Sequence, residues 1–151
     1  CAPSLPVSYY KTILGEKANV RLVLNRTYQL LQLSSAAVVT SGTATLETAL
    51  LDVPEVVCYK ANQISYLIAR QVARVKYICL VNLIMDRLVV KELIQGDMTA
   101  NNIRDELQSL LNSSKRQKKL LEEYEELKYV LGNAGASDRA AETIISYVKK
   151  N

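Results

Sequence analysis

The chain carries four short, nearly continuous apolar runs: "VRLVL" (20–24), "AAVVT" (36–40), "EVVCY" (55–59) and "YICLV" (77–81). All are rich in β-branched residues, the pattern of strands covered on both faces. Segments with helical spacing separate them, over residues 27–33, 43–51 and 63–75. Strand and helix alternate, which predicts a parallel sheet built from right-handed βαβ units, a doubly wound α/β arrangement. Pro54 stands just before the third strand, and Pro3 and Pro6 lie in the opening segment, positions where a missing N–H does little damage.

Beyond Asn82 the pattern predicts helices only. "LVVKELIQ" (88–95) stops at Gly96, and "TANNIRDELQSLLNS" (99–113) offers Thr99 as an N-cap, with Ile103, Leu107, Leu110 and Leu111 on one face. "KRQKKLLEEYEELKYVLG" (115–132) spaces Leu120, Tyr124, Leu127 and Leu131 helically and ends at Gly132. "SDRAAETIISYVKK" (137–150) has Ser137 as N-cap, Asp138 in its first turn and Lys149 and Lys150 in its last, charges that suit the helix dipole. The only linker-like stretch is "GNAGA" (132–136). The pattern divides the chain into a sheet-bearing part, 1–98, and closing helices, 99–151, that pack on it, on another domain or on a partner subunit.

Composition narrows the chemistry. With 151 residues, 49% of them hydrophobic, the chain can bury one sizeable core. It has nine Tyr, no Phe or Trp, and no His, which removes His-based acid–base catalysis and His metal ligands. Cys1, Cys58 and Cys79 have neither zinc-site nor disulfide-framework spacing, and fit a reducing compartment. A net charge of +4 suits phosphorylated or membrane-surface partners and is no sign of nucleic acid. Charged residues interrupt every candidate membrane span. The chain starts on Cys1, and structured-looking sequence follows at once where a lipoprotein would have a polar tether, so the expectation is a chain beginning partway into a domain. Lys115, Arg116, Lys118 and Lys119 cluster at a helix start; Glu122 and Glu123, four residues on from Lys118 and Lys119, favour a solvated charge run over an anion site.

The candidate chemistry sits in "SGTATLE" (41–47), where the second strand hands over to a helix. Gly42 lets a ligand approach the main chain, the first helical turn presents unpaired N–H groups, and Ser41, Thr43 and Thr45 add hydroxyls. A phosphate would fit there. A carboxylate at Glu47 would repel a diphosphate unless it reached past it to hydrogen-bond donors such as ribose hydroxyls, so the pair Gly42 and Glu47 suits a nucleotide. The same residues are equally compatible with a helix cap and a solvated first-turn acid.

Four blocks in register decide between these readings. "SGTATLETAL", "VPEVVCYK", "YICLVNLI" and "VVKELIQ", with "GASDRAAETI" (135–144) near the end, closely resemble the C-terminal part of the lipid-A-disaccharide synthase family. The resemblance covers nearly the whole chain. It implies an α/β, Rossmann-like parallel sheet with flanking helices, the C-terminal half of a GT-B glycosyltransferase, followed by C-terminal helices. It also implies an inverting glycosyltransferase that passes diacylglucosamine from UDP-2,3-diacylglucosamine to diacylglucosamine 1-phosphate. The setting would be cytoplasmic and peripheral at the Gram-negative inner membrane. No metal or other cofactor is implied, and a homo-oligomer is expected. The nucleotide-binding residues implied are Ser41, Gly42, Thr43 and Glu47, together with Lys60 of the Tyr59–Lys60 pair, Asn82 after the fourth strand and Gln95. Taken alone, Asn82 and Gln95 also read as a strand terminator and a residue before a glycine stop.

The chain departs from the family pattern at Val81, where many members have proline, and at Cys79, where serine is common. Family members are more than twice as long, and their catalytic base is expected in an N-terminal domain. The chain is therefore expected to hold most of the nucleotide-binding half and to be inactive alone. Two other readings remain: a different GT-B UDP-GlcNAc transferase or 2-epimerase, and a stand-alone, non-catalytic α/β nucleotide-binding module.

Overall fold

The computed structural model describes residues 5–15, 19–62, 76–132 and 135–150. Two short helices, α1 (Val7–Leu14) and α2 (Thr27–Gln32), precede a three-stranded sheet. The strands are β1 (Ala37–Thr40), β2 (Glu55–Tyr59) and β3 (Lys91–Ile94), all parallel and in the order β1-β2-β3. β1 pairs Ala37 with Glu55, and β2 pairs Val56 with Lys91. Helix α3 (Thr43–Leu50) joins β1 to β2, and α4 (Leu80–Met85) precedes β3. After a 3-10 turn at Gln95–Asp97 come α5 (Ala100–Asn112), α6 (Ser114–Leu131) and α7 (Ala136–Lys150).

The central strand explains its own sequence. Glu55, Val56, Val57 and Cys58 are all buried, because helices cover both faces of β2. On one face Val57 packs with Ala49 of α3, Val81 and Met85 of α4, and Leu120, Tyr124 and Leu127 of α6. On the other, Val56, Cys58 and Leu93 pack against Ile103 and Leu107 of α5. The spacing of these leucines on α5 and α6 therefore seats both helices on the sheet. Tyr124 is fully buried, and its hydroxyl donates to the Val53 carbonyl at 3.3 Å; one turn on, Lys128 pairs with Asp52 at 2.7 Å. Caps fix the helix ends as expected: Thr99 accepts from the Asn102 amide, and Gly132, at φ 77°, ends α6. Of the basic run, Arg116 is paired with Glu106, and Lys119 lies 3.8 Å from Glu123.

The parallel α/β arrangement agrees with the sequence, but three elements differ from expectation. Residues 77–81 form no strand; 77–79 are irregular and α4 begins at Leu80. The reason is Glu92, whose carboxylate accepts from the Ile78 amide at 3.1 Å and the Cys79 amide at 3.0 Å, the donors a strand would give to a neighbour. Residues 88–95 are not a helix either. The Val89 and Val90 amides are taken by Oδ1 of Asn82 at 2.8 and 3.0 Å, and the chain continues as β3. Residues 20–24 form no strand, and β1 is left at the edge of the described sheet. Ser137 is the second residue of α7 and not its cap. The helix expected over 63–75 lies outside the described residues. Among the described residues no helix is long and apolar enough to cross a membrane.

Candidate functional site

Because all three strands are parallel, the residues that follow them emerge at one edge of the sheet: Ser41 to Thr43 after β1, Lys60 after β2 and Gln95 after β3. This is the edge at which open α/β sheets bind ligands.

The turn after β1 is anchored twice. The Ser41 amide extends the ladder to the Cys58 carbonyl at 3.0 Å, and the Ser41 hydroxyl donates to the Ile78 carbonyl at 3.2 Å. Gly42 then takes φ 155° and ψ −163°, a conformation L side chains rarely adopt. Among the described residues no atom lies within 4 Å of where a Cβ on Gly42 would stand, so the main chain here is open. No side chain caps α3. Thr45 turns its hydroxyl back to the Gly42 carbonyl at 2.8 Å, which leaves the exposed Thr43 and Ala44 at the helix start. The start of α3 therefore combines a positive dipole end, open main chain and an exposed threonine, the elements of an anion site.

Glu47 is the fifth residue of α3, so it is not the first-turn acid that one reading of the sequence proposed. It lies four residues after Thr43, on the same helix face one turn deeper, half-buried and with no ion pair among the described residues. Lys60 is exposed directly beyond β2. Gln95, at φ 51°, bends the chain sharply after β3. Its Oε1 accepts from the Ala61 amide at 3.1 Å, tying the end of β3 to the end of β2. Its Nε2 is buried and has no partner among the described residues, a donor with nothing to bond.

Asn82 is differently placed from the sequence reading. It lies inside α4, wholly buried, and not after a strand. Oδ1 accepts from Val89 and Val90; Nδ2 donates to the Val90 carbonyl at 2.9 Å and to Glu92 at 3.0 Å. Those four bonds use the full capacity of the amide. Asn82 therefore orients Glu92, Glu92 holds the Ile78 and Cys79 amides, and the Ile78 carbonyl holds Ser41. Glu92 was missed in the sequence because a glutamate within an apparent helix reads as solvated. The signal was the β-branched pair Val89 and Val90, better suited to a strand. Among the described residues no three His, Cys, Asp or Glu side chains gather where a metal ion could sit.

Known proteins match the chain over most of its length. The family described as lipid-A-disaccharide synthetase matches residues 8–145. The lipid-A-disaccharide synthase of Syntrophus aciditrophicus is 43% identical over 91% of this chain, which covers 36% of that protein. That of Myxococcus xanthus is 38% identical over 82% of the chain and 32% of its own length, and that of Acidobacterium capsulatum 42% over 74% and 28%. The chain thus spans about a third of the length of these curated relatives. With the match running from α1 into α7, the chain belongs to the lipid-A-disaccharide synthase family.

Proposed function

We propose that the carboxyl edge of the sheet holds the UDP portion of UDP-2,3-diacylglucosamine. The chain then forms the nucleotide-binding part of an inverting glycosyltransferase that delivers diacylglucosamine to diacylglucosamine 1-phosphate in lipid A biosynthesis. The observation that carries this is the uncapped start of α3 behind an open Gly42, with Glu47, which has no ion pair among the described residues, one turn further along the same face.

In this reading the amides at the start of α3 and the Thr43 side chain bond the diphosphate, Ser41 holds the turn in place through Ile78, and Lys60 offsets the charge. Glu47 accepts hydrogen bonds from the ribose hydroxyls, which a carboxylate does well and a phosphate-binding cation cannot. The unpartnered Nε2 of Gln95 donates to the diphosphate or to the sugar. Asn82 acts from beneath: it fixes Glu92 and through it the strand-to-helix turn. The base that takes the proton from the acceptor hydroxyl lies outside these residues.

The relatives' names support the acyl-sugar substrates, and the unpaired polar groups support the nucleotide. Peripheral contact with the cytoplasmic side of the inner membrane and self-association belong to the same proposal. The exposed Ile144, Ile145, Tyr147 and Val148 of α7 support self-association, since an apolar helix face in water recruits a partner. Calorimetric titration with UDP, ADP and CDP tests the site. Saturable binding of UDP in preference to ADP and CDP is expected. Equal binding of all three leaves only a diphosphate site, and no binding removes the nucleotide.

A further inference from the structure

At the end of the sheet opposite Gly42 and Gln95, where β2 and β3 begin, an open pocket of about 230 Å³ lies against α5 and α6. The proposed nucleotide site does not use it. Leu88, Val90, Leu110 and Leu120 supply apolar walls. Lys91, Arg116 and Lys119 stand around it with the acid Glu123. Glu55 lies beneath, both carboxyl oxygens enclosed and without a hydrogen-bond partner among the described residues. A carboxyl so enclosed is too costly to keep ionised and adds no negative charge to the pocket.

The three cations are unequally engaged. Arg116 is held by Glu106 and Ser109. Lys119 is exposed and lies 3.8 Å from Glu123, whose carboxylate also accepts from Nε of Arg87 at 3.3 Å. Lys91 is exposed and makes no ion pair among the described residues. One acid thus faces three cations and is itself shared with a fourth. A solvated charge run accounts for the lysines but not for the leucine and valine walls between them.

We infer that this pocket binds a short alkyl chain ending in an anionic group, a carboxylate or a phosphate ester, with the chain against Val90, Leu110 and Leu120 and the anion held by Lys91 and Lys119. The volume falls below the roughly 300–1,000 Å³ of pockets for drug-sized ligands, which limits the chain to a few carbons. Neither half of the ligand suffices alone. An exposed lysine attracts a bare anion weakly, because both stay solvated and salt screens them. A chain gains up to about fourfold in affinity for each methylene it buries, but without a charge it leaves the lysines nothing to pair with. An alkylammonium would meet three cations against one acid.

The test follows amide NMR shifts of the 151-residue chain at neutral pH with hexanoate, hexyl phosphate, acetate, hexanol and hexylammonium. Hexanoate or hexyl phosphate should bind saturably in the millimolar range, shifting Val89, Val90 and Leu120, and the tighter of the two identifies the head group. Acetate, hexanol and hexylammonium should each bind at least about fivefold more weakly. About tenfold more salt should weaken hexanoate and leave hexanol unchanged. Lys91→Gln and Lys119→Gln, both at exposed positions, should each weaken hexanoate about threefold and spare hexanol. Hexanol binding as tightly as hexanoate, tighter binding of hexylammonium, shifts confined to the exposed apolar face of α7, or no saturable shift at Val89, Val90 and Leu120 overturns the inference.

Discussion

Replacing Glu55 with methionine is expected to stabilise the chain at neutral pH and to flatten the pH dependence of its stability. Burial moves this carboxyl from 4.5 to about 9, so between those values the folded chain keeps a proton that the unfolded chain has released. Below 4.5 both states are protonated and the contribution of the group is fully present; it declines as the pH rises and is gone above about 9. The decline is about 1.4 kcal/mol per pH unit within the window, so going from about pH 5.5 to about 7.5 costs the wild-type chain about 2.7 kcal/mol. That is a large share of a small domain's stability. The buried neighbours do not blur the effect: burial pushes the Cys79 thiol up to about 12 and the Tyr124 hydroxyl up as well, so both stay neutral throughout. Methionine matches glutamate in length, carries no charge and adapts to irregular space. Urea denaturation of both chains at the two pH values gives the double difference, from which shared titrations cancel. An equal loss of stability in both chains refutes the reasoning, because it means Glu55 is ionised or partnered in the folded state.

Asn82→Ala should cost about 3–5 kcal/mol in urea denaturation, since it strands the Val89 and Val90 amides, the Val90 carbonyl and Glu92, at about 1–3 kcal/mol for each buried group left unpaired; a loss below about 1 kcal/mol contradicts the network. Gly42→Ala should weaken UDP binding at least about tenfold by placing a methyl over the open main chain and straining a φ of 155°. Unchanged UDP affinity in calorimetry would mean that the Gly42 main chain does not face the ligand.

How far the sequence could be read depended on whether the deciding contacts were local. "EVVCY" was legible as a strand because a parallel strand covered on both faces must be apolar throughout, and "AAVVT" because of its β-branched run, although Val38 and Thr40 are exposed in β1. The choice between 77–81 and 91–94 for the last strand was not legible. The first is the more apolar and the second begins on Lys91 and Glu92, yet the decision belongs to two side chains, Asn82 and Glu92, that reach across 7 to 14 residues to claim backbone amides. Burial of Glu55 was equally hidden: a charged residue at a strand start reads as solvated until α6 is laid over it. Of the site, Gly42 and Glu47 could be read from the local strand–turn–helix pattern, whereas Lys60, Asn82 and Gln95 came only through resemblance. The same resemblance could not foresee that Asn82 is enclosed.

The most direct test of the nucleotide reading compares UDP with 2′-deoxy-UDP on the wild-type chain and on Glu47→Gln. A carboxylate bonded to both ribose hydroxyls should make the wild type prefer UDP, and the amide should lower UDP affinity by about 1–3 kcal/mol, the range for hydrogen bonds to charged groups. The mutant should discriminate little between the two nucleotides, and its melting temperature without ligand should barely change, since Glu47 makes no ion pair among the described residues. Calorimetric titration yields all four affinities. Equal losses for both nucleotides would place Glu47 away from the 2′-hydroxyl, and unchanged affinities for both would contradict the account by removing Glu47 from the site.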